Sequence, residues 1–182
     1  TGARSSHAPS CASPPYREYA APEPRSVYGR SKLAGEQAVR ELNPRHCIVR
    51  TAWVYHEHGA NFPKTMMRLA AQGAVRVVSD QFGSPTYAPH LAAASDALLP
   101  TGADGTYHCA GAGAASWFDL TRELFAALGL QATVTPVATA EFPRPAERPS
   151  YSVLTTLQEP RIVLPDWREG VAAFAAAVRA NG

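Results

Sequence analysis

From residue 26 onward, short apolar runs rich in β-branched residues alternate with helix-period segments. This alternation is the strongest constraint on the fold. Strands joined through helices pair in parallel, because a parallel partner needs a crossover of about a dozen residues. The expected class is therefore α/β. Ser26 is placed to cap a helix running to Leu42, which Pro44 cannot continue. The run 46–55 reads as one buried strand of a parallel sheet. Asn61 is placed to cap a helix with Phe62, Met66, Leu69 and Ala70 on one face, stopped by Gly73. A strand over 75–79, a loop over 80–87, a helix over 90–99 and a strand over 105–110 follow.

Ser116 and Asp119 have capping-box spacing and open a helix to Leu128, with Gly129 as its stop. A strand is expected over 132–138 and an irregular stretch over 141–160. The last helix, 166–180, should bury Trp167, Val171, Phe174 and Val178 on one face. Residues 1–25 are rich in proline and serine and carry no periodicity.

Composition narrows the function classes. Net charge is +2, so nothing calls for a nucleic acid or other polyanion. The apolar runs fall well short of the roughly 18 residues of a membrane-spanning helix. The three cysteines, Cys11, Cys47 and Cys109, are odd in number, widely spaced and without a Cys-x-x-Cys pair. A disulfide framework is not expected. Cys47 and Cys109 read as small hydrophobes within strands, and the chain as cytoplasmic.

The chemistry-bearing motif is Tyr-Gly-Arg-Ser-Lys at 28–32. On a helix, Tyr28 and Lys32 share a face one turn apart. A cation beside a phenol favours the phenolate and lowers a pKa of about 10. Such a phenol can give a proton to a ketone oxygen as hydride arrives. Two other patterns are set aside. The Gly111–Gly113 region lacks the third glycine of a dinucleotide fingerprint and reads as a tight strand-to-helix turn. His56-Glu57-His58 has no His-Glu-x-x-His frame and reads as a polar loop, so no metal is expected.

Around the Tyr/Lys motif, ordered pieces recur: Pro-Tyr-Arg-Glu at 15–18, the 27–36 segment, Ile-Val-Arg-Thr-Ala-Trp-Val-Tyr at 48–55, Asn61-Phe62, Asp-Gln-Phe-Gly-Ser-Pro-Thr at 80–86, Gly-Thr-Tyr-His at 105–108, Ser116-Trp117 and Arg148-Pro149. Together they resemble the extended short-chain dehydrogenases, most closely the dTDP-4-dehydrorhamnose reductase family, over residues 14–180.

The resemblance implies a partial Rossmann-like doubly wound sheet and an α/β substrate-binding lobe. It divides the chain at 26–56 (the Tyr/Lys helix and its following strand) and 57–182 (mainly the lobe). It implies Tyr28 as catalytic acid and Lys32 as its ribose-binding partner. Arg50 and Thr51 would lie at the cofactor. Trp53, Asn61, Gln81, Trp117 and Arg148 would contact substrate. The implied reaction is NADPH-dependent reduction of dTDP-6-deoxy-L-lyxo-4-hexulose to dTDP-L-rhamnose, with NADH as the alternative reductant.

The implied partner is a dTDP-sugar, and the resemblance admits a homodimer. The alternatives are another nucleotide-sugar epimerase or reductase, or a non-catalytic regulatory or inactive fragment. The family's Gly-rich half would precede Tyr28, where only 27 residues stand. The chain is thus expected to match the C-terminal portion of such a reductase, as a truncated or frameshifted product. Ser5, Ser6, Ser10 and Ser13 occupy the stretch where the family carries its triad hydroxyl, and none is assigned that role.

Overall fold

A computed structural model describes residues 14–142 and 148–181. The four serines at 5–13, Cys11 and the 143–147 part of the irregular stretch lie outside the described residues. The order is α1 (Val27–Leu42), β1 (Cys47–Arg50), β2 (Val54–Tyr55), α2 (Phe62–Ala70), β3 (Ala74–Val78), β4 (Phe82–Gly83), β5 (Thr86–Tyr87), α3 (Ala88–Leu98), β6 (Gly105–His108), β7 (Ala115–Ser116), α4 (Trp117–Leu128), β8 (Thr133–Val137), β9 (Tyr151–Ser152) and α5 (Trp167–Ala180).

The pairings are mostly parallel, as the alternation requires. β1 runs with β6, β2 with β5 and β3 with β8. β4 is the centre of a small mixed sheet, antiparallel to β7 and parallel to β9. The sheet of β1 is completed by a strand from the far side of residue 56, so the two expected parts interlock.

The helix ends follow their caps. The Ser26 hydroxyl accepts from the Gly29 N–H, and the Asn61 side chain accepts from the Lys64 N–H. Ser116 and Asp119 form the reciprocal capping box, and Gly129 closes α4 at φ 70°. Asp166 and Glu169 form a second box at α5.

Three expectations are corrected. The run 46–55 is two strands, because Trp53 takes φ 47° and turns the chain between β1 and β2. β1 is also not buried: Cys47 is exposed and the next three residues are half-buried, so Cys47 is no core hydrophobe. The 80–87 loop carries β4 and β5, and the 141–160 stretch carries β9. Each strand is two residues long, too short for periodicity to register.

The main core lies between α4 and α5 over β3, with Leu120, Leu124, Phe125, Val171 and Phe174 joined by Met66, Val75 and Val77. Phe174 and Ala175 are fully buried, while Val178 is only partly covered against this core. A second cluster sets Ala94 and Leu98 of α3 against Tyr107, Cys109 and Leu164. A strap at 14–18 crosses to this region. Tyr16 bridges Leu154, and the Glu18 carboxylate accepts from the backbone N–H of His108 and of Leu157, each at 3.1 Å. Among the described residues no helix is long and apolar enough to cross a membrane.

Candidate functional site

Two groups of the predicted residues emerge. The first is an aromatic platform. Trp53 and Trp117 stack with ring centroids 3.5 Å apart and planes within 7°. Trp117 is the first residue of α4, fixed by the Ser116 cap. Trp53 reaches it from the left-handed turn, a conformation costing a non-glycine residue about 1–2 kcal/mol. Such local strain persists where surrounding contacts hold it.

Gly83 is one such contact. A Cβ there would collide with the Trp53 indole, so β4 must present glycine to let the ring lie down. The Phe62 ring also packs on Trp117, with centroids 4.5 Å apart and the planes tilted by 47°.

Gln81 and Arg148 complete the platform. Gln81 is buried, its Oε1 accepting from Trp117 Nε1 at 3.2 Å and its Nε2 donating to Thr139 Oγ1 at 3.0 Å. Thr139 is held in turn by Asp80, which accepts from its backbone N–H and its hydroxyl. The Arg148 guanidinium lies 5.8 Å from the Trp117 ring centroid, within cation–π range. An indole pair edged by an amide and a guanidinium can give a sugar ring apolar contact along its edge, with a cation for phosphate.

The second group is Tyr28 and Lys32 on α1. The ammonium lies 5.2 Å from the phenol ring centroid, as one-turn spacing dictates. Tyr28 is 71% exposed. Thr51 is exposed just beyond the C-terminal end of β1, the end where open parallel sheets bind ligands.

Two predicted residues are engaged elsewhere. Arg50 forms a fork on Glu36, Nε to Oε1 at 2.9 Å and Nη2 to Oε2 at 2.6 Å. These hydrogen bonds hold the Glu36 carboxyl below the usual carboxylate range, against an opposing effect of burial. Arg40, one turn on, also reaches Glu36 at 3.0 Å and Thr106 at 3.1 Å. The fork therefore pins α1 to β1. Asn61 spends its amide on the loop and helix cap, with Nδ2 donating to the His56 carbonyl at 2.5 Å.

Sequence reasoning missed Glu36, Glu18, Phe62, Gly83 and Thr139. All but Thr139 stand in motif pieces that carry the resemblance, but their partners lie between 14 and 139 residues away, apart from a local tie of Glu36 to Arg40, so the sequence shows no role for them.

The layout fits a class: part of a Rossmann-like α/β fold, with the Tyr–Lys helix beside short, mostly parallel strand pairs. Comparison with known proteins makes this specific. The family model described as the RmlD substrate binding domain matches residues 9–180, and the chain belongs to that family.

It is 46% identical over 162 residues to a dTDP-4-dehydrorhamnose reductase of Mycolicibacterium smegmatis, covering 85% of this chain and 50% of that protein. A crystal structure of the Clostridium acetobutylicum dTDP-4-dehydrorhamnose reductase superposes with TM-score 0.89 at 39% identity, over 92% of this chain and 61% of that one. The Bacillus anthracis dTDP-4-dehydrorhamnose reductase, solved in complex with NADP, superposes at 0.86 with 40% identity, over 90% and 59%. The chain thus spans little more than half the length of the relatives it matches.

Proposed function

We propose that this chain forms the sugar-nucleotide side, and carries the proton donor, of an NADPH-dependent dTDP-4-dehydrorhamnose reductase. The observation that carries the reading is the Tyr28–Lys32 pair, a phenol and an ammonium one helical turn apart on an exposed face. Support also comes from the family membership and from the NADP bound in the Bacillus anthracis relative.

The substrate would be dTDP-6-deoxy-L-lyxo-4-hexulose and the product dTDP-L-rhamnose. With its faces taken by Trp117 and Gly83, the Trp53 indole would meet the sugar with its edge, and Arg148 would take the diphosphate. NADPH, when bound, would supply the hydride for C4 of the keto sugar. Tyr28 O–H donates its proton to the carbonyl oxygen as negative charge builds there. Lys32 Nζ would stabilise the phenolate left behind and bond a ribose hydroxyl. Thr51, exposed beyond the end of β1, would add a hydroxyl toward the cofactor. The Arg50 fork would set the depth of α1 over the sheet. The reaction would be cytoplasmic, and a homodimer is the assembly to look for by sedimentation.

The test has two steps. Thymidine diphosphate should quench the tryptophan fluorescence of the purified chain, through Trp53 and Trp117. Keto-sugar reduction, assayed in a protein joining this chain to a dinucleotide-binding half, should fall about 10²–10⁴-fold in Tyr28→Phe. Absence of diphosphate binding, or an undiminished rate in that variant, overturns the reading.

A further inference from the structure

The loop between β2 and α2 places three potential metal donors together. In an extended strand, Glu57 would point away from His56 and His58. The chain instead bends over 57–60, with Gly59 at φ 72°. As a result, one imidazole nitrogen from each histidine and a Glu57 carboxylate oxygen all lie within 4.8 Å of one another. His56 Nε2 and Glu57 Oε2 are 3.5 Å apart. Donors bound at about 2.0–2.2 Å to a tetrahedral ion lie roughly 3.3–3.6 Å apart. That edge of the coordination polyhedron is already formed, and His58 has a short way to move.

The loop is braced from outside. Asn61 Nδ2 holds the His56 carbonyl at 2.5 Å, and Lys64 Nζ holds the Glu57 carbonyl at 2.8 Å. The Tyr87 hydroxyl donates to Glu57 Oε2 at 2.9 Å, orienting the carboxylate. Tyr87 is itself buried and registered opposite Tyr55 in the β2–β5 pair. Outer partners of this kind orient metal ligands and strengthen binding. The donors remain reachable, since His58 is exposed and the other two are half-buried.

We propose that His56, Glu57 and His58 form a binding site for one borderline divalent transition-metal ion, with zinc as its representative. Two imidazoles and a carboxylate are the donor set for such ions, and an oxygen-preferring ion such as magnesium is disfavoured. The remaining coordination position faces solvent and takes water.

Binding has one local cost. His56 Nδ1 accepts from the His58 N–H at 3.1 Å, which leaves the ring proton on Nε2. The metal needs the Nε2 lone pair, so the ring proton moves to Nδ1. The His58 N–H then turns to water, which its exposure allows.

The test uses the purified chain and zinc chloride alone, by calorimetry, with cobalt as a spectroscopic reporter. The expected result is one equivalent of zinc with micromolar affinity, unaffected by excess magnesium. His56→Ala, Glu57→Gln and His58→Ala should each weaken it at least about tenfold, and Tyr87→Phe about tenfold. Cobalt should show the visible bands of a low-coordinate nitrogen-oxygen site, lost in His58→Ala. A dissociation constant weaker than about 1 mM overturns the proposal. So does zinc binding of unchanged affinity in the His56→Ala/His58→Ala double variant, which would put the metal elsewhere. Thermal melts of the variants, all on a surface loop except Tyr87, exclude loss of fold as the cause.

Discussion

The α1–β1 region and the α4–α5 lobe are built on opposite terms. None of the sixteen residues of α1 is buried, and Val27 and Leu42 are 74% and 85% exposed. The helix is held to the sheet largely by polar contacts, the Arg50 fork on Glu36 and the Arg40 bonds. α4 and α5 instead bury nine side chains or glycines between them, with Phe174 at 0% exposure. The lobe is secured by apolar area, which is worth about 25 cal/mol per Å². The Tyr28–Lys32 pair, the proposed proton donor and its partner, lies on a surface that the described residues leave uncovered.

The sharpest way to break this contrast is Phe174→Ala. It should destabilise the lobe by about 3–5 kcal/mol, measured by urea unfolding. If the α1 region melts with it in one transition, the two regions are a single cooperative unit. A smaller effect is expected from Gly83→Ala. The new methyl meets the Trp53 ring and should cost about 1–3 kcal/mol. The near-ultraviolet circular dichroism of the stacked indoles should fall with it. An unchanged spectrum would show that the platform does not depend on that close approach.

The smallest effect belongs to the Glu36–Arg50 fork. The folded-state pKa of Glu36 is depressed, so its contribution is fully present above the unfolded value near 4.5 and is lost as pH falls through the folded one. Glu36→Gln should remove about 0.5–1 kcal/mol near neutral pH and flatten that acid limb. Hydrogen exchange should report the loss in α1 while the lobe amides stay protected. Equal loss in both regions would erase the distinction.

Much of the fold was legible because its signals are local. The Ser26, Asn61 and Ser116 caps and the Gly129 stop each fix a helix boundary within a few residues of themselves. The Tyr28–Lys32 proximity is equally local, as one turn of helix enforces it. The two-residue strands β4, β5 and β9 were not legible, because pairing partners rather than periodicity create them. The break at Trp53 was invisible as well. A tryptophan inside a β-branched run gives no hint of a left-handed turn, and only Gly83 and Trp117, 30 and 64 residues on, account for it.

The sequence by itself determined the α/β class, the helix boundaries, the Tyr/Lys pair and the residue types of the platform. The class, the boundaries and the pair follow from short-range periodicity, spacing and capping, while the platform residues came from the resemblance to the family. The tertiary structure alone decided that Arg50 is taken by Glu36. It also decided that Trp53 and Trp117 lie face to face over Gln81. Those outcomes depend on packing between segments far apart in the chain, where competition among long-range partners, not local preference, sets which contact wins.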